Sequence, residues 1–127
     1  MLTFNHFFAV GIGAALGAIC RWLLGLWLNH SGVLVPWGTL AANFIGGYII
    51  GVALGAFLLY PSVPDWVKLF ITTGFLGGLT TFSTFSAEVV GMLERGAYMS
   101  ALAYGGTSLF GTLILTVLGL ATMHALR

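Results

Sequence analysis

Apolar stretches of about twenty residues or more follow one another through this 127-residue chain, separated by short polar or turn-forming breaks. A helix of that length crosses roughly 30 Å of hydrocarbon at about 1.5 Å per residue. Spans are expected at about 7–28, 33–60, 66–93 and 98–125, counted by that length criterion. The breaks are NHSG at 29–32, PSVPD at 61–65 and ERGA at 94–97, too short to hold a soluble domain. Charged residues make up 6% of the chain and hydrophobic ones 59%, too little polar surface to cover a globule in water. The sequence predicts an all-α integral membrane protein, a single four-helix transmembrane domain over residues 1–127.

The first span has no positively charged n-region, outlasts a signal h-region and contains Arg21, so it is read as retained and not as a cleaved signal. Cys20 has no partner in its own chain, which excludes an intramolecular disulfide framework. Basic residues in short loops set orientation, and with four spans Lys68 and Arg127 fall on one side and Arg21 and Arg95 on the other. A chain without bias inserts both ways and can pair with its inverted copy, which is the basis for expecting dual topology. The alternative is that the free amino terminus or the translocon fixes one orientation. Glycines at four-residue spacing, Gly13/Gly17, Gly47/Gly51/Gly55 and Gly74/Gly78, allow close backbone approach, either within one bundle or between copies.

A polar group at bilayer depth is costly unless it faces protein or water. Tyr104, Ser108, Thr112 and Thr116 recur every four residues and form a hydroxyl ladder on one face of the fourth span. Back-bonding of each hydroxyl to the carbonyl four residues earlier is the ordinary alternative. Thr39 and Asn43 share a face of the second span with Gly47. The Asn43 amide cannot satisfy itself within its helix, so it meets another helix, water or a ligand.

Residues 74–86 read GFLGGLTTFSTFS. A Gly-Gly pair followed by Leu-Thr-Thr predicts a break inside the third span, which frees carbonyls suited to a hard cation such as Na+. Beyond it, Phe82 and Phe85 lie three apart, interleaved with Ser83 and Thr84, and present positive ring edges to an anion or simply pack in a core. Glu88 lies a turn further, where it accepts bonds from hydroxyls or is protonated. Arg21 snorkels from the end of the first span or makes an electropositive vestibule. His6, His30 and His124 show no ligand spacing, and no metalloprotease motif, nucleophile elbow or P-loop is present, so nothing indicates an enzyme.

GFLGGLTTFSTFS, with GTLAANFIGG in the second span and GAICRW in the first, resembles the Fluc/CrcB fluoride channel family over essentially the whole chain. The resemblance implies an antiparallel dual-topology homodimer enclosing two fluoride pores, in agreement with the two-against-two charge split. By that resemblance Phe82 and Phe85 line the anion route, and Asn43 is the vestibular asparagine that bonds fluoride and orients a ring. Tyr104, Ser108 and Thr112 form a polar track, joined by Ser83, Thr84, Thr39 and Glu88, with Arg21 in the basic vestibule. Gly77 and Thr80 lend backbone carbonyls from both chains to a structural Na+ at the dimer centre. The implied biology is passive fluoride export, driven by membrane potential and by trapping of HF as fluoride, in a multi-pass protein of the bacterial inner membrane. Partners are then fluoride, a second copy and the lipid bilayer, with no nucleic acid.

Two other readings exist. A small multidrug-type transporter shares length and topology but needs a membrane-embedded Glu in its first helix, and this first span has none. A non-transporting membrane scaffold would use the glycine and hydroxyl faces for packing alone.

Overall fold

A computed structural model describes residues 3–29 and 35–126. Its elements are α1 (Phe4–Leu28), α2 (Trp37–Leu59), α3 (Asp65–Leu69), a π-helical segment (Phe70–Leu76), α4 (Gly77–Leu79), α5 (Phe82–Glu94) and α6 (Tyr98–Ala125), with no strand among the described residues. α1, α2 and α6 are each long and apolar enough to cross a membrane. Residues 65–94 are helical in pieces, none of which reaches that length.

Local chemistry sets the ends. α1 starts at Phe4, three residues before the expected Phe7, because the Thr3 hydroxyl caps it by accepting the His6 N–H at 3.2 Å. The expected start of the second span at Val33 lies outside the described residues, as do His30 and Arg127. Within them, Val35 and Pro36 precede the helix, which begins at Trp37; a proline disfavours helical backbone in the residue before it and suits a helix start. The Gly38 N–H is satisfied by the Asn29 side-chain oxygen at 2.6 Å. Between α5 and α6 the chain turns at Gly96, whose φ of 77° is a left-handed conformation that glycine adopts without steric cost.

In lipid, helix association rests on close packing, interhelical hydrogen bonds and lipid entropy, and two glycine seams serve it here. In the first, α1 lies against the π-helical segment: a Cβ on Gly13 would come 2.6 Å from the Phe70 carbonyl oxygen, and one on Gly17 would collide with that of Phe75. In the second, α2 lies against α6: a Cβ on Gly51 would collide with the Thr116 carbonyl, and one on Gly119 with that of Tyr48. α2 is central, because both buried clusters draw on it, Leu40 with Met92, Ala101 and Tyr104, and Ala42 with Leu76 and Leu79. Phe7, Ile12, Trp22, Leu26, Phe110, Ile114 and Val117 are each more than half exposed. Such a surface would aggregate in water and is the ordinary one against acyl chains.

Residues 65–94 depart from the simple broken helix expected there. Phe70–Leu76 is wound as a π-helix, a widened turn that brings Phe70 and Phe75 backbone onto the α1 glycines. The Gly77–Gly78 pair stays helical, and the break comes at the other end of the GGLTT stretch, at Thr80 (φ −90°, ψ 153°) and Thr81 (φ −154°, ψ 127°). Gly78 serves approach instead of turning, since a Cβ there would collide with the Ala14 carbonyl of α1.

Candidate functional site

The break creates the site. At its start the Thr80 hydroxyl donates to the Leu76 carbonyl at 2.8 Å and the Thr80 N–H to the same oxygen at 3.0 Å, closing the first half-span. Thr81 then turns out, and its N–H donates to the Asn43 side-chain oxygen of α2 at 3.0 Å. That donor is lost to the Gly77 carbonyl, four residues back. The Gly78 carbonyl accepts from Arg21 Nε–H at 3.1 Å. On the far side the Thr81 hydroxyl caps α5 by accepting the Thr84 N–H at 3.4 Å, and the Ser83 hydroxyl lies 3.3 Å from it.

A run of rings leads inward from the break. Phe82, 78% exposed, lies 5.7 Å from Phe85 between ring centroids, and Phe85 lies 5.4 Å from Tyr104, 3% exposed. Both pairs are tilted, at 50° and 47°, between the stacked and the edge-to-face arrangement. Beneath them Glu88 receives a donor at each carboxyl oxygen, Thr39 Oγ1 at Oε2 and Tyr104 Oη at Oε1, each at 2.8 Å. Thr39 from α2, Glu88 from α5 and Tyr104 from α6 thus form one network. The carboxyl group is an acceptor here.

The four-residue ladder on α6 divides by partner. Tyr104 is bound to Glu88; Thr116 bridges to the Gly47 carbonyl of α2 at 2.9 Å and to the Thr112 carbonyl at 3.1 Å. Ser108 is 5% exposed and its hydroxyl has no hydrogen-bond partner among the described residues. A cavity of about 410 Å³ is lined by Ser108 together with Asn43, Thr80, Thr81, Phe82, Phe85 and Thr112. Residues from α2, from both halves of the third span and from α6 therefore meet in one space, although more than sixty positions separate Asn43 from Ser108.

The family described as CrcB-like protein, Camphor Resistance (CrcB), matches residues 8–120, a stretch that contains every residue of this cavity. The chain belongs to the CrcB family. Relatives bearing the name fluoride-specific ion channel FluC include one from Bordetella petrii, 65% identical over 122 residues, covering 96% of this chain and 94% of its own. Others come from Bordetella avium, 63% identical over 124 residues and 98% and 97% of the two chains, and from Bordetella bronchiseptica, 59% identical over 128 residues and 99% and 98%.

Of the site residues that the CrcB resemblance implies, Asn43, Phe82, Phe85, Ser108 and Thr112 share the cavity. Thr39, Tyr104 and Glu88 form the network beside it, and Ser83 and Thr84 sit on the cap of α5. Arg21 is engaged with the break. Thr81 was not singled out by sequence; its signal was a threonine three residues before Thr84, the spacing of a helix cap. The Tyr48–Thr122 bond at 2.8 Å, a second tie between α2 and α6, was missed as well.

Proposed function

We propose that two antiparallel copies of this chain form a fluoride-selective channel with two pores. Each copy then crosses a bacterial inner membrane four times, its third span being the two half-spans on either side of Thr80–Thr81. The function is ion conduction by passive electrodiffusion and not enzymatic. FluC relatives at 59 to 65% identity support the choice of fluoride. The observation that carries the reading is Ser108, a residue of the cavity wall whose buried hydroxyl has no hydrogen-bond partner among the described residues. A lone hydroxyl so buried costs about 1–3 kcal/mol relative to a paired one, so it is explained by a ligand that accepts its hydrogen bond.

Fluoride is small and strongly hydrated, and a pore must replace its water with donors at narrow width. The Ser108 and Thr112 hydroxyls, the Asn43 side-chain NH₂ and the positive edges of Phe82 and Phe85 are the groups the cavity offers. Uncharged donors hold an anion without trapping it. Thr39 and Tyr104 each donate to one oxygen of Glu88, which ties the carboxyl group to α2 and α6 beside the cavity.

Phe82, Leu109 and Leu113 line the cavity and are each more than half exposed, an open side that a second copy would close. For a Na+ at the dimer centre the donor set fits. Gly77 is exposed and its carbonyl lacks a helix donor, while extended Thr80 keeps its carbonyl out of the ladder. Bound there by carbonyls of both copies, Na+ would supply a fixed positive charge between them.

Purified protein in liposomes loaded with fluoride or chloride, opened with a potassium ionophore and followed by ion-selective electrodes, tests the reading. Rapid fluoride efflux with little chloride efflux is expected. Efflux no greater than from protein-free liposomes, with folded dimeric protein, rules it out in favour of a scaffold.

A further inference from the structure

We propose that Arg21 holds the third span open at its break, as a positioning residue for the cavity and not as a free charge at its mouth. The proposal goes beyond the channel reading and is decided without it. Gly13, Gly17 and Arg21 recur every four residues and form one stripe of α1. The two glycines lie on backbone of the third span, and Gly78 lies on Ala14 of α1. Arg21, one turn beyond Gly17, is therefore carried to the level of the break. There its Nε–H meets the Gly78 carbonyl at 3.1 Å. In a continuous helix that carbonyl would accept the N–H of Phe82, which instead begins α5.

The break is thus pinned from two helices. α1 supplies a donor to the carbonyl side, and α2 supplies an acceptor, Asn43 Oδ1, to the Thr81 N–H. At this depth an unpaired carbonyl has no water to turn to, so loss of the Arg21 bond loosens the break or favours its closure. Lysine keeps the charge but has no Nε–H at that position on a planar head. A vestibular charge and a positioning bond therefore make opposite demands on Arg21→Lys.

The test uses R21K and R21Q in the full-length protein, purified in detergent, with amide hydrogen exchange read by mass spectrometry over residues 79–86. Both variants are expected to exchange about tenfold faster than wild type at Thr80–Thr84, the scale of one lost charge-assisted hydrogen bond, with residues 48–58 unchanged. Fluoride flux should fall alike in both, at low and high salt. Wild-type exchange in R21K overturns the proposal, whatever R21Q shows. Should neither variant fold, the wild-type protein decides it by ¹⁵N NMR: an Arg21 Nε–H protected from solvent exchange supports the bond, and one exchanging as fast as a free arginine refutes it. Absence of fluoride flux in wild type would count against the channel reading and leave this result standing.

Discussion

Asn43 faces two ways, and substitution separates its roles. Its Oδ1 accepts the Thr81 N–H at 3.0 Å, while its NH₂ makes no protein hydrogen bond among the described residues and lines the cavity. Asn43→Asp keeps the acceptor and the shape, so the break should persist and the protein should fold. It exchanges the donor for a carboxylate. An anion about 4 Å from that charge at an effective dielectric near 20 is repelled by about 4 kcal/mol, or about a thousandfold in occupancy. Fluoride efflux from liposomes should fall by that order and recover as pH is lowered, because protonation removes the charge. Asn43→Ala instead leaves the Thr81 N–H unpaired, at a cost of about 1–3 kcal/mol, and should lower the melting temperature in detergent as well as the flux. Flux in the Asp variant within tenfold of wild type would refute the anion-facing role. An Ala variant that melts with wild type would refute the structural one.

Other substitutions probe the remaining groups. Ser108→Ala removes a hydroxyl that has no hydrogen-bond partner among the described residues, so thermal melting should be unchanged or raised while fluoride flux falls about tenfold, one hydrogen bond's worth of ion stabilisation. Phe82→Ile and Phe85→Ile remove the ring edge at similar volume; conduction should be lost or altered, and wild-type flux in both would end the ring-edge role. Thr116→Val breaks the bond to the Gly47 carbonyl and should cost about 0.5–1.5 kcal/mol of stability with flux preserved, which melting and efflux read separately. Adding two lysines to one loop should bias insertion, and unchanged function of that variant expressed alone would count against dual topology.

Hydropathy made the membrane helices legible, because segment length and the absence of charge depend on the chain alone. The glycine stripes were legible as sites of close approach, but not their partners. Gly13 and Gly17 meet the third span, whereas Gly51 meets α6. The break is expected within Gly77–Thr81 and occurs at the threonine end of that stretch, Thr80–Thr81. Glycine permits a break, yet here packing against Ala14 keeps Gly78 in a helix, and the threonines' hydroxyls close one helix and cap the next. The π-helix at Phe70–Leu76 had no local signal, since it depends on contact with α1. Ladder spacing on α6 identified one face, but not that Thr116 is engaged while Ser108 is free. That difference depends on where the Gly47 carbonyl falls, on another helix.

In the proposed channel, fluoride passes selectively through the cavity that Ser108 lines. A planar bilayer holding the purified protein, with opposed fluoride and chloride gradients across it, measures this through the reversal potential. The current is expected to reverse at the fluoride equilibrium potential and to follow it when the fluoride gradient is changed. A reversal that follows chloride, or a bilayer that stays silent with folded dimeric protein present, would contradict the proposed channel.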